Sequence, residues 1–364
     1  MINRLFHQLF KHIDSFLMVC LFFALLLSLF VLYSASGQNF SRVYAQGVNM
    51  LIALGAMWIV ANISPQNLER AARPLYALGL ALLVAVALFG VISHGARRWL
   101  NLGFMQIQPS ELMRIAAPMM IAWYFATRDG KPKASHFVIA GIMLAIPVAL
   151  IMKQPDLGTS LLIASSGFYV LFLAGLSWRF LLGAGVSLLA LAPVFWSLLH
   201  DYQRRRIEML FDPSQDPLGA GYHTIQSIIA IGSGGAAGKG WLNGTQTQLD
   251  FLPERTTDFI FAVFSEEFGF LGNMLLLSLF SLIIIRGLVI ASQAQNTFCR
   301  LLAGSITLNF FSYAFVNMGM VSGILPVVGV PLPLISYGGT SMLTLCVGFG
   351  ILMSIHTHKK LVAT

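Results

Sequence analysis

The chain has 364 residues, of which 57% are apolar and only 10% are charged, and its mean hydropathy is +0.78. A soluble domain carries about 25% charged residues, so the composition excludes an ordinary soluble protein and indicates one that crosses a membrane many times. The net charge of +8 suits Lys and Arg in loops at an anionic membrane surface. No basic groove with interleaved aromatic residues accompanies it, so we expect membrane lipids and no nucleic acid as partners.

Ten apolar segments are long enough to cross a membrane, since about 20 apolar residues span a bilayer as a helix. They lie near residues 13–34, 44–62, 74–93, 107–126, 136–152, 157–175, 179–199, 258–285, 298–318 and 336–355. The fifth and sixth segments are separated only by a short hinge, and a re-entrant pair is the alternative there. The sequence therefore predicts an all-α fold in a single membrane domain, residues 1–364.

The distribution of Lys and Arg in the short loops predicts the orientation of these helices. With the N-terminus in the cytoplasm, twelve of these cations face inward and only four face outward. Both termini are therefore predicted to be cytoplasmic. The segment of about 200–257 then becomes one large extracytoplasmic loop between the seventh and eighth helices.

Acidic residues crowd into the stretch FLPERTTDFIFAVFSEEFGF (251–270). Asp258 is predicted to begin the eighth helix, where Thr256 or Thr257 suits an N-cap and the helix dipole favours an acid. The alternative interpretation is functional, because a carboxylate beside cations in the outer leaflet suits a lipid-linked anionic substrate. A diphosphate attracts Arg and Lys, while the carboxylate takes a proton from an attacking hydroxyl.

The other acids of this stretch are predicted to have lesser roles. Glu254 is interpreted as a supporting group in the outer loop. Glu266 and Glu267 lie about 12 Å further along the helix, at 1.5 Å per residue, and on faces that differ from that of Asp258. A packing or pairing role is therefore predicted for both.

Further charges gather at the outer ends of other predicted helices, and charge at membrane depth is usually functional. They are Arg97, Arg98, Glu111, Arg114, Lys153 and Asp156. Glu111 and Arg114 are three residues apart, so they share a helix face and can pair, either to hold helices in register or to shape a cavity. Lys153 and Asp156 occupy a polar hinge, which either serves function or satisfies a helix end.

Two glycine-containing segments invite opposite interpretations. GSGGAAGKG (232–240) resembles a phosphate-binding loop, but Ser233 and Gly240 break the required pattern, so no nucleotide is expected and the glycines predict a loop folded tightly against the membrane surface. GILPVVGVPLPLISYGGTS (323–341) contains prolines that exclude a simple helix. Irregular backbone at such depth lines a cavity or is buried in protein, so this segment is predicted to form a wall of the site.

Several long motifs occur in the order found in one family. They include LYSASG (32–37), QPSEL (108–112), KQPDLGTS (153–160), LPERTTDFIFAV (252–263) and PLISYGGTS (333–341). The chain resembles the SEDS family (shape, elongation, division and sporulation) nearly end to end, and its elongation branch more than its division branch. The resemblance implies a bacterial inner-membrane peptidoglycan glycosyltransferase that uses lipid II, with its active site on the outer face.

The resemblance also assigns roles to particular residues. Asp258 corresponds to the family's essential acid, and Lys153 and Asp156 to its outer Lys and Asp. Glu111 corresponds to the Glu of QPSE, but Arg114 stands where the family usually has Lys. A class B penicillin-binding protein, the elongation transpeptidase, is the implied partner.

These expectations combine into an inverting transfer with Asp258 as the general base. The candidate substrate-binding residues are Arg97, Arg98, Glu111, Arg114, Lys153, Asp156 and Glu254. A divalent cation, Mg²⁺ or Mn²⁺, is a candidate cofactor for the diphosphate. Two alternatives stay open, namely a lipid II flippase and a non-catalytic scaffold for the transpeptidase.

Overall fold

The structure, a computed structural model, describes residues 11–93, 96–101, 106–128, 130, 132–154, 156–198, 204, 208, 220–248 and 254–358. Most of this part of the chain is α-helical, and helices occupy the ten segments predicted from hydropathy. Of the predicted outer loop, the structure describes residues 204, 208, 220–248 and 254–257.

The helices of the first half are α1 (Ser15–Ala35), α2 (Phe40–Ala61), α3 (Pro65–Phe89), α4 (Pro109–Ala126), α5 (Ala134–Met152) and α6 (Leu157–Leu173). Those of the second half are α7 (Trp178–Ala190), α8 (Ala192–Leu198), α9 (Ala220–Ser233), α10 (Thr245–Gln248), α11 (Ile260–Ser292), α12 (Thr297–Val321) and α13 (Gly339–Thr357). Three strands, β1 (Val91–Ser93), β2 (Ala96–Asn101) and β3 (Gln106–Ile107), lie between α3 and α4.

Polar or proline residues mark where the apolar helices begin. Asp14 caps α1 by accepting a hydrogen bond from the Leu17 N–H at 2.8 Å, and Asn296 caps α12 in the same way. Proline stands at the start of α3 and of α4, where its missing N–H is not needed. The helices therefore begin where side chains satisfy, or proline removes, the first unpaired donors.

Seven helices in the described residues are long and apolar enough to cross a membrane, namely α1, α2, α3, α5, α11, α12 and α13. Large apolar side chains remain exposed on them, such as Leu51 on α2 and Leu275 on α11, both more than 70% exposed. Apolar surface of this extent is expected where lipid rather than water covers a protein.

Helix α4 is not one of the seven, and it occupies the interior. It packs against α3, α5, α6 and α12, and two-thirds of its residues, 12 of 18, are buried. Glu111 and Arg114 therefore face neighbouring helices rather than lipid, which is the usual place for charge inside a membrane domain.

The prediction of an all-helical fold missed a small antiparallel sheet with strand order β1-β2-β3. Its strands of two to six residues are far shorter than the helix-length segments that hydropathy detects. In the sheet Ile92 pairs with Arg97, and Leu100 pairs with Ile107. Strand pairing satisfies backbone groups in the connection between α3 and α4.

Two predicted helix boundaries were also wrong. The third helix begins at Pro65, well before the predicted residue 74, because its first turns carry charged residues that hydropathy excludes. The seventh predicted helix is two helices, α7 and α8, with Leu191 between them. Pro193 stands at the second position of α8, where it cannot continue a preceding helix.

Helix α11 is broken at Gly269, which has φ +64° and ψ −160°. The 23 residues after the break are about 35 Å long at 1.5 Å per residue, enough to cross the bilayer core of about 30 Å. The nine residues before it, 260–268, lead back toward Asp258. The prediction of one continuous helix over 258–285 is corrected accordingly.

At the far end of α11, three elements meet through charged side chains. Arg286 Nε donates to Asp14 Oδ1 at 3.1 Å, and its Nη2 contacts Asp14 Oδ2. His356 near the end of α13 also faces Asp14, with 3.0 Å between Nδ1 and Oδ2. The start of α1 and the end of α13 therefore lie at the same end of the bundle, opposite Asp258.

Candidate active site

Asp258 lies in a turn two residues before α11. The Thr257 and Phe259 N–H groups both donate to the Glu254 carbonyl oxygen, at 3.1 and 3.3 Å. The Asp258 side chain is partly exposed. The predicted N-cap at Thr256 or Thr257 is wrong, and so is the placement of Asp258 in the first helical turn, because the chain turns back on Glu254 before the helix begins.

The irregular segment 322–338 packs against the Asp258 turn, and its lack of helix confirms the prediction from its prolines. Asn317 on α12 connects the two, since its Nδ2 donates to the carbonyl oxygens of Asp258 and Val330, each at 2.7 Å. A Cβ added to Gly329 would lie 3.5 Å from Asp258 Oδ2. The carboxylate therefore lies next to a glycine, which leaves room that a side chain would take.

Further hydrogen bonds attach the turn to the same segment. Ser336 Oγ donates to the Thr257 carbonyl oxygen at 2.7 Å and accepts from the Leu332 N–H at 2.8 Å. The Tyr337 N–H donates to the Thr256 carbonyl oxygen at 2.9 Å. Hydrogen bonds to the carbonyl oxygens of Thr256, Thr257 and Asp258 thus fix the backbone position of Asp258.

Glu254 is exposed beside this turn and has a left-handed backbone with φ +53°. Its Oε2 accepts a hydrogen bond from Thr257 Oγ1 at 2.7 Å. Nearby, the ring of His223 on α9 stacks on Phe259, with centroids 5.6 Å apart. Burial lowers the pKa of His223 below its ordinary value, although the charge of Glu254 opposes the shift.

Glu111 and Arg114 form the ion pair that their spacing predicts. Arg114 Nη1 donates to Glu111 Oε2 at 2.7 Å, and the guanidinium lies 5.1 Å from the ring centroid of Tyr313. Thr344 Oγ1 on α13 donates to Glu111 Oε2 at 3.0 Å, while Arg114 Nη2 donates to Thr159 Oγ1 on α6 at 3.4 Å. The pair therefore connects four helices.

Asp156 stands at the N-cap of α6, where Oδ1 accepts from the Thr159 N–H at 3.1 Å. Its Oδ2 faces Gln108 Nε2 at 3.4 Å and Arg98 Nε at 3.9 Å. The interpretation of the hinge as a satisfied helix end is therefore right for Asp156, and the same carboxylate also attracts a cation.

The remaining predicted cations belong to β2 and to the end of α5. Arg97 and Arg98 are on β2 rather than in a loop, and Arg98 Nε also approaches the Gln154 carbonyl oxygen at 3.4 Å. Lys153 ends α5 and is exposed. The structure thus brings Arg98 to Asp156 and places Lys153 at the surface beside them.

Val328 and Gly329 of the irregular segment connect the start of α6, where Asp156 lies, with Asp258. A Cβ on Gly158, near the start of α6, would lie only 2.5 Å from the Val328 carbonyl oxygen. The next residue, Gly329, is the one beside the Asp258 carboxylate. Since consecutive Cα atoms are about 3.8 Å apart, the Asp156 helix start and Asp258 lie on neighbouring parts of one surface.

A second group of acids, Glu266 and Glu267, lies next to the break in α11. The sequence did not predict that Lys239 pairs with Glu266. Glu266 is fully buried, and its Oε1 accepts from Lys239 Nζ at 2.8 Å, from Thr245 Oγ1 at 3.1 Å and from the Gln246 N–H at 3.1 Å. Glu267 is also buried and accepts from Ser34 Oγ on α1. The predicted pairing role is confirmed for Glu266.

The glycine-rich loop that supplies Lys239 lies against the broken part of α11. The Lys239 and Gly240 N–H groups donate to the carbonyl oxygens of Glu266 and Glu267, each at 3.0 Å, and the Phe270 N–H donates to the Gly235 carbonyl oxygen at 2.9 Å. The loop therefore satisfies the backbone groups that the break exposes. A buried acid in an apolar helix is usually paired, and that tendency was the signal for Lys239.

The described residues do not form a metal site by themselves. Within the described ranges, no three His, Cys, Asp or Glu side chains come close enough together to hold an ion. Mg²⁺ is often bound through one or two carboxylates together with substrate phosphates. These residues fit a divalent cation only if the substrate supplies most of its ligands.

Comparison with protein families gives one match over nearly the whole chain. The family model described as "Cell cycle protein", which covers FtsW, RodA and SpoVE, matches residues 8–361. Peptidoglycan glycosyltransferase MrdB of Escherichia coli K12 is 52% identical over 353 residues, which are 97% of this chain and 95% of that relative. MrdB of Helicobacter pylori 26695 is 37% identical, over 96% of this chain and 91% of its own length.

Solved structures agree with this match. A chain from a peptidoglycan synthase complex, described as coordinating polymerization and crosslinking, superposes with a TM-score of 0.82 at 32% identity. The match covers 94% of this chain and 97% of the other. The rod shape determining protein RodA of Thermus thermophilus superposes with a TM-score of 0.71 at 28% identity, over 94% and 96% of the two chains.

Proposed function

Because the chain belongs to the FtsW, RodA and SpoVE family, we propose that it is a peptidoglycan glycosyltransferase that polymerises lipid II during cell elongation, with Asp258 as general base. Relatives named for this activity align over almost its full length. The observation that carries the assignment of the base is the position of Asp258, a partly exposed carboxylate beside Gly329 that its backbone holds against irregular chain.

The proposed reaction is an inverting displacement. The Asp258 carboxylate removes the proton from the C4 hydroxyl of the acceptor GlcNAc, and that oxygen attacks C1 of the donor MurNAc. The C1–O bond to undecaprenyl diphosphate breaks as the new bond forms. A diphosphate leaves without protonation, so the step needs one base and nearby cations rather than the paired carboxylates of glycoside hydrolases.

The cations for the diphosphate are those around the start of α6. Arg98 lies beside Asp156, and Arg97 precedes Arg98 on β2. Exposed Lys153 directly precedes Gln154, whose carbonyl oxygen Arg98 approaches. Cations stabilise charge that develops on a leaving group. Mg²⁺ or Mn²⁺ bound to the diphosphate would add positive charge there, and Asp156 and Glu254 are the nearby carboxylates that such a complex would meet.

Glu111 and Arg114 have a positioning role in this proposal. Their contacts with Thr159 and Thr344 hold α4 against α6 and α13. The start of α6 contacts the irregular segment, and α13 follows that segment in the chain. The Lys usual in the family would keep the ion pair but lack the planar fork of Arg.

We place the active site on the outer face of the bacterial inner membrane, with ten crossings and both termini in the cytoplasm. In support, Asp14 contacts both Arg286 and His356, so the start of α1 and the end of α13 lie on one side. Arg286 is 28 residues from Asp258 along a mostly helical path, which puts Asp258 at the opposite side. The excess of Lys and Arg in alternate short loops supports a cytoplasmic position for the side that carries Asp14 and His356.

A class B penicillin-binding protein is the proposed partner. The support is the similarity to a chain of a peptidoglycan synthase complex that coordinates polymerization with crosslinking. Such a partner would place the crosslinking enzyme where the new glycan strand emerges.

The decisive experiment uses purified protein, its transpeptidase partner and labelled lipid II in detergent, where there are no leaflets to flip between. We expect polymer from the wild type and none from Asp258→Asn with an equal melting temperature. Equal polymer from both proteins would refute Asp258 as base. No polymer from either would favour the flippase or the scaffold.

A further inference from the structure

A small cavity of about 30 Å³ lies between α4, α6, α12 and α13. Three polar side chains with unsatisfied atoms line it. Arg114 Nε, Asn309 Oδ1 and the Tyr313 hydroxyl are each buried without a hydrogen-bond partner among the described residues. Buried polar atoms are nearly always hydrogen-bonded, so three such atoms around one cavity indicate a ligand.

The chemistry of the three atoms identifies the ligand. Arg Nε is a donor only, the Asn oxygen is an acceptor only, and the Tyr hydroxyl is both. A cation would be repelled by Arg114, and an anion by the oxygen of Asn309. A neutral molecule that both donates and accepts satisfies all three.

The cavity volume limits the size of that molecule. By the same measure a water needs about 10–15 Å³, and a buried water usually makes about three hydrogen bonds. About 30 Å³ therefore has room for one or two waters. We propose that this cavity is a water-binding site in which one water accepts from Arg114 Nε, donates to Asn309 Oδ1 and bonds to the Tyr313 hydroxyl.

The water would supply a hydrogen-bond partner for the Nε atom of Arg114. Its Nη1 already bonds to Glu111 and its Nη2 to Thr159, so Nε is the nitrogen left for the water. The water thereby joins α4 to α12 through Asn309, a connection that no direct hydrogen bond of Arg114 makes. This inference concerns the interior of the bundle and does not depend on the proposed reaction.

Neighbouring hydroxyls allow a second water. Ser305 Oγ donates to the Ser166 carbonyl oxygen at 2.7 Å, and Ser166 Oγ donates to the Ile163 carbonyl oxygen at 2.8 Å. Both serines line the cavity, and each hydroxyl oxygen that has donated its proton still has lone pairs that accept.

The direct test is an experimental structure of the full-length wild type in lipid, in a density map that resolves waters elsewhere in the bundle. We expect a peak within hydrogen-bond distance of Arg114 Nε, Asn309 Oδ1 and the Tyr313 hydroxyl. A crystal pressurised with xenon is the complementary test, because xenon enters dry apolar cavities. An empty map or a xenon peak at this place would overturn the proposal.

Two variants sharpen the test. Asn309→Leu replaces the acceptor with an apolar group of similar size, and we expect the water peak to disappear and the melting temperature to fall. Tyr313→Phe keeps the ring beside Arg114 but removes one of three partners, and we expect the peak to persist. If the water peak persisted in Asn309→Leu, Asn309 would not bind the water and the proposal would be wrong.

Discussion

Asp258 and Glu266 are acids eight residues apart in one continuous stretch, yet their surroundings differ in almost every respect. Asp258 is partly exposed in a turn before the helix. Glu266 is fully buried and accepts hydrogen bonds from Lys239, Thr245 and a backbone N–H. The role of an acid in this apolar stretch therefore depends on how deeply the fold buries it.

The energetics of the two carboxylates follow from this difference. A buried charge is costly unless it is paired and hydrogen-bonded, so Glu266 needs the loop that carries Lys239 and in return fixes that loop to α11. The turn of Asp258 is fixed through backbone groups, and its side chain is partly exposed. We therefore assign structure to Glu266 and chemistry to Asp258.

The largest effect on stability is expected for Lys239→Met. It removes the cation from a buried acid, and breaking a buried pair in this way costs about 3–5 kcal/mol; because Lys239 itself is partly exposed, the low end of this range is the expectation. The melting temperature in detergent or lipid measures the loss.

The matched control is the double variant Lys239→Met with Glu266→Gln. Removing both charges leaves no unpaired buried ion, so the double variant should melt above Lys239→Met alone. A double variant that melted lower than the single one would show that the ion pair is not what holds the loop.

The next largest loss of stability is expected from changes in the backbone of the glycine-rich loop. It is measured by comparing Gly238→Ala with Gly235→Ala. Both glycines have left-handed φ values, but a Cβ on Gly238 would lie 2.1 Å from the Glu267 carbonyl oxygen, whereas one on Gly235 meets nothing within 4 Å. The Gly235 variant should lose about 1–2 kcal/mol of stability, and the Gly238 variant about 1–3 kcal/mol more.

Melting temperatures of the two alanine variants provide the measurement. Equal losses would show that the loop does not press on the break in α11. A larger loss for Gly238→Ala would support the close contact that distinguishes the Glu266 region from the open turn at Asp258.

The sequence predicted the positions of the helices because apolar length is a local property. It did not predict the break at Gly269 or the pairing of Lys239 with Glu266, because both depend on a loop that returns from about 27 residues away in sequence. The irregular segment after α12 was predictable from its prolines. Its contact with Asp258 through Asn317 was not, since a single asparagine in an apolar helix does not reveal its partner.

An intermediate loss of stability is expected for Arg114→Lys, which tests the ion pair between Arg114 and Glu111. Lysine keeps the charge beside Glu111 but loses the bond to Thr159 and the stacking on Tyr313. Loss of one hydrogen bond from a charged group costs about 1.5–3 kcal/mol, so the melting temperature should fall while Arg114→Met falls further. Equal melting of both variants would show that the charge is unimportant.

The smallest effect is a pH dependence from His223 near the Asp258 turn. Burial lowers the pKa of His223, so the unfolded chain binds the proton more tightly than the folded one. Its contribution to stability is therefore complete above about pH 6.5, the ordinary histidine value, and is lost as the pH falls through the lower folded pKa.

Melting curves of the wild type and His223→Gln between pH 8 and pH 5 measure this contribution. The wild type should lose more of its melting temperature than the variant as the pH falls. Identical pH profiles would show that His223 does not titrate differently in the folded protein.

The division of roles between the two acids is tested most directly by measuring polymerisation and melting together for Asp258→Asn and Glu266→Gln. Labelled lipid II and the transpeptidase partner are supplied at a temperature where both variants remain folded. We predict that Asp258→Asn melts like the wild type but polymerises at least ~100-fold more slowly, the loss typical for a general base. Glu266→Gln should melt lower and polymerise at a comparable rate per folded molecule. Normal polymerisation by Asp258→Asn, with loss of activity confined to Glu266→Gln, would contradict the account.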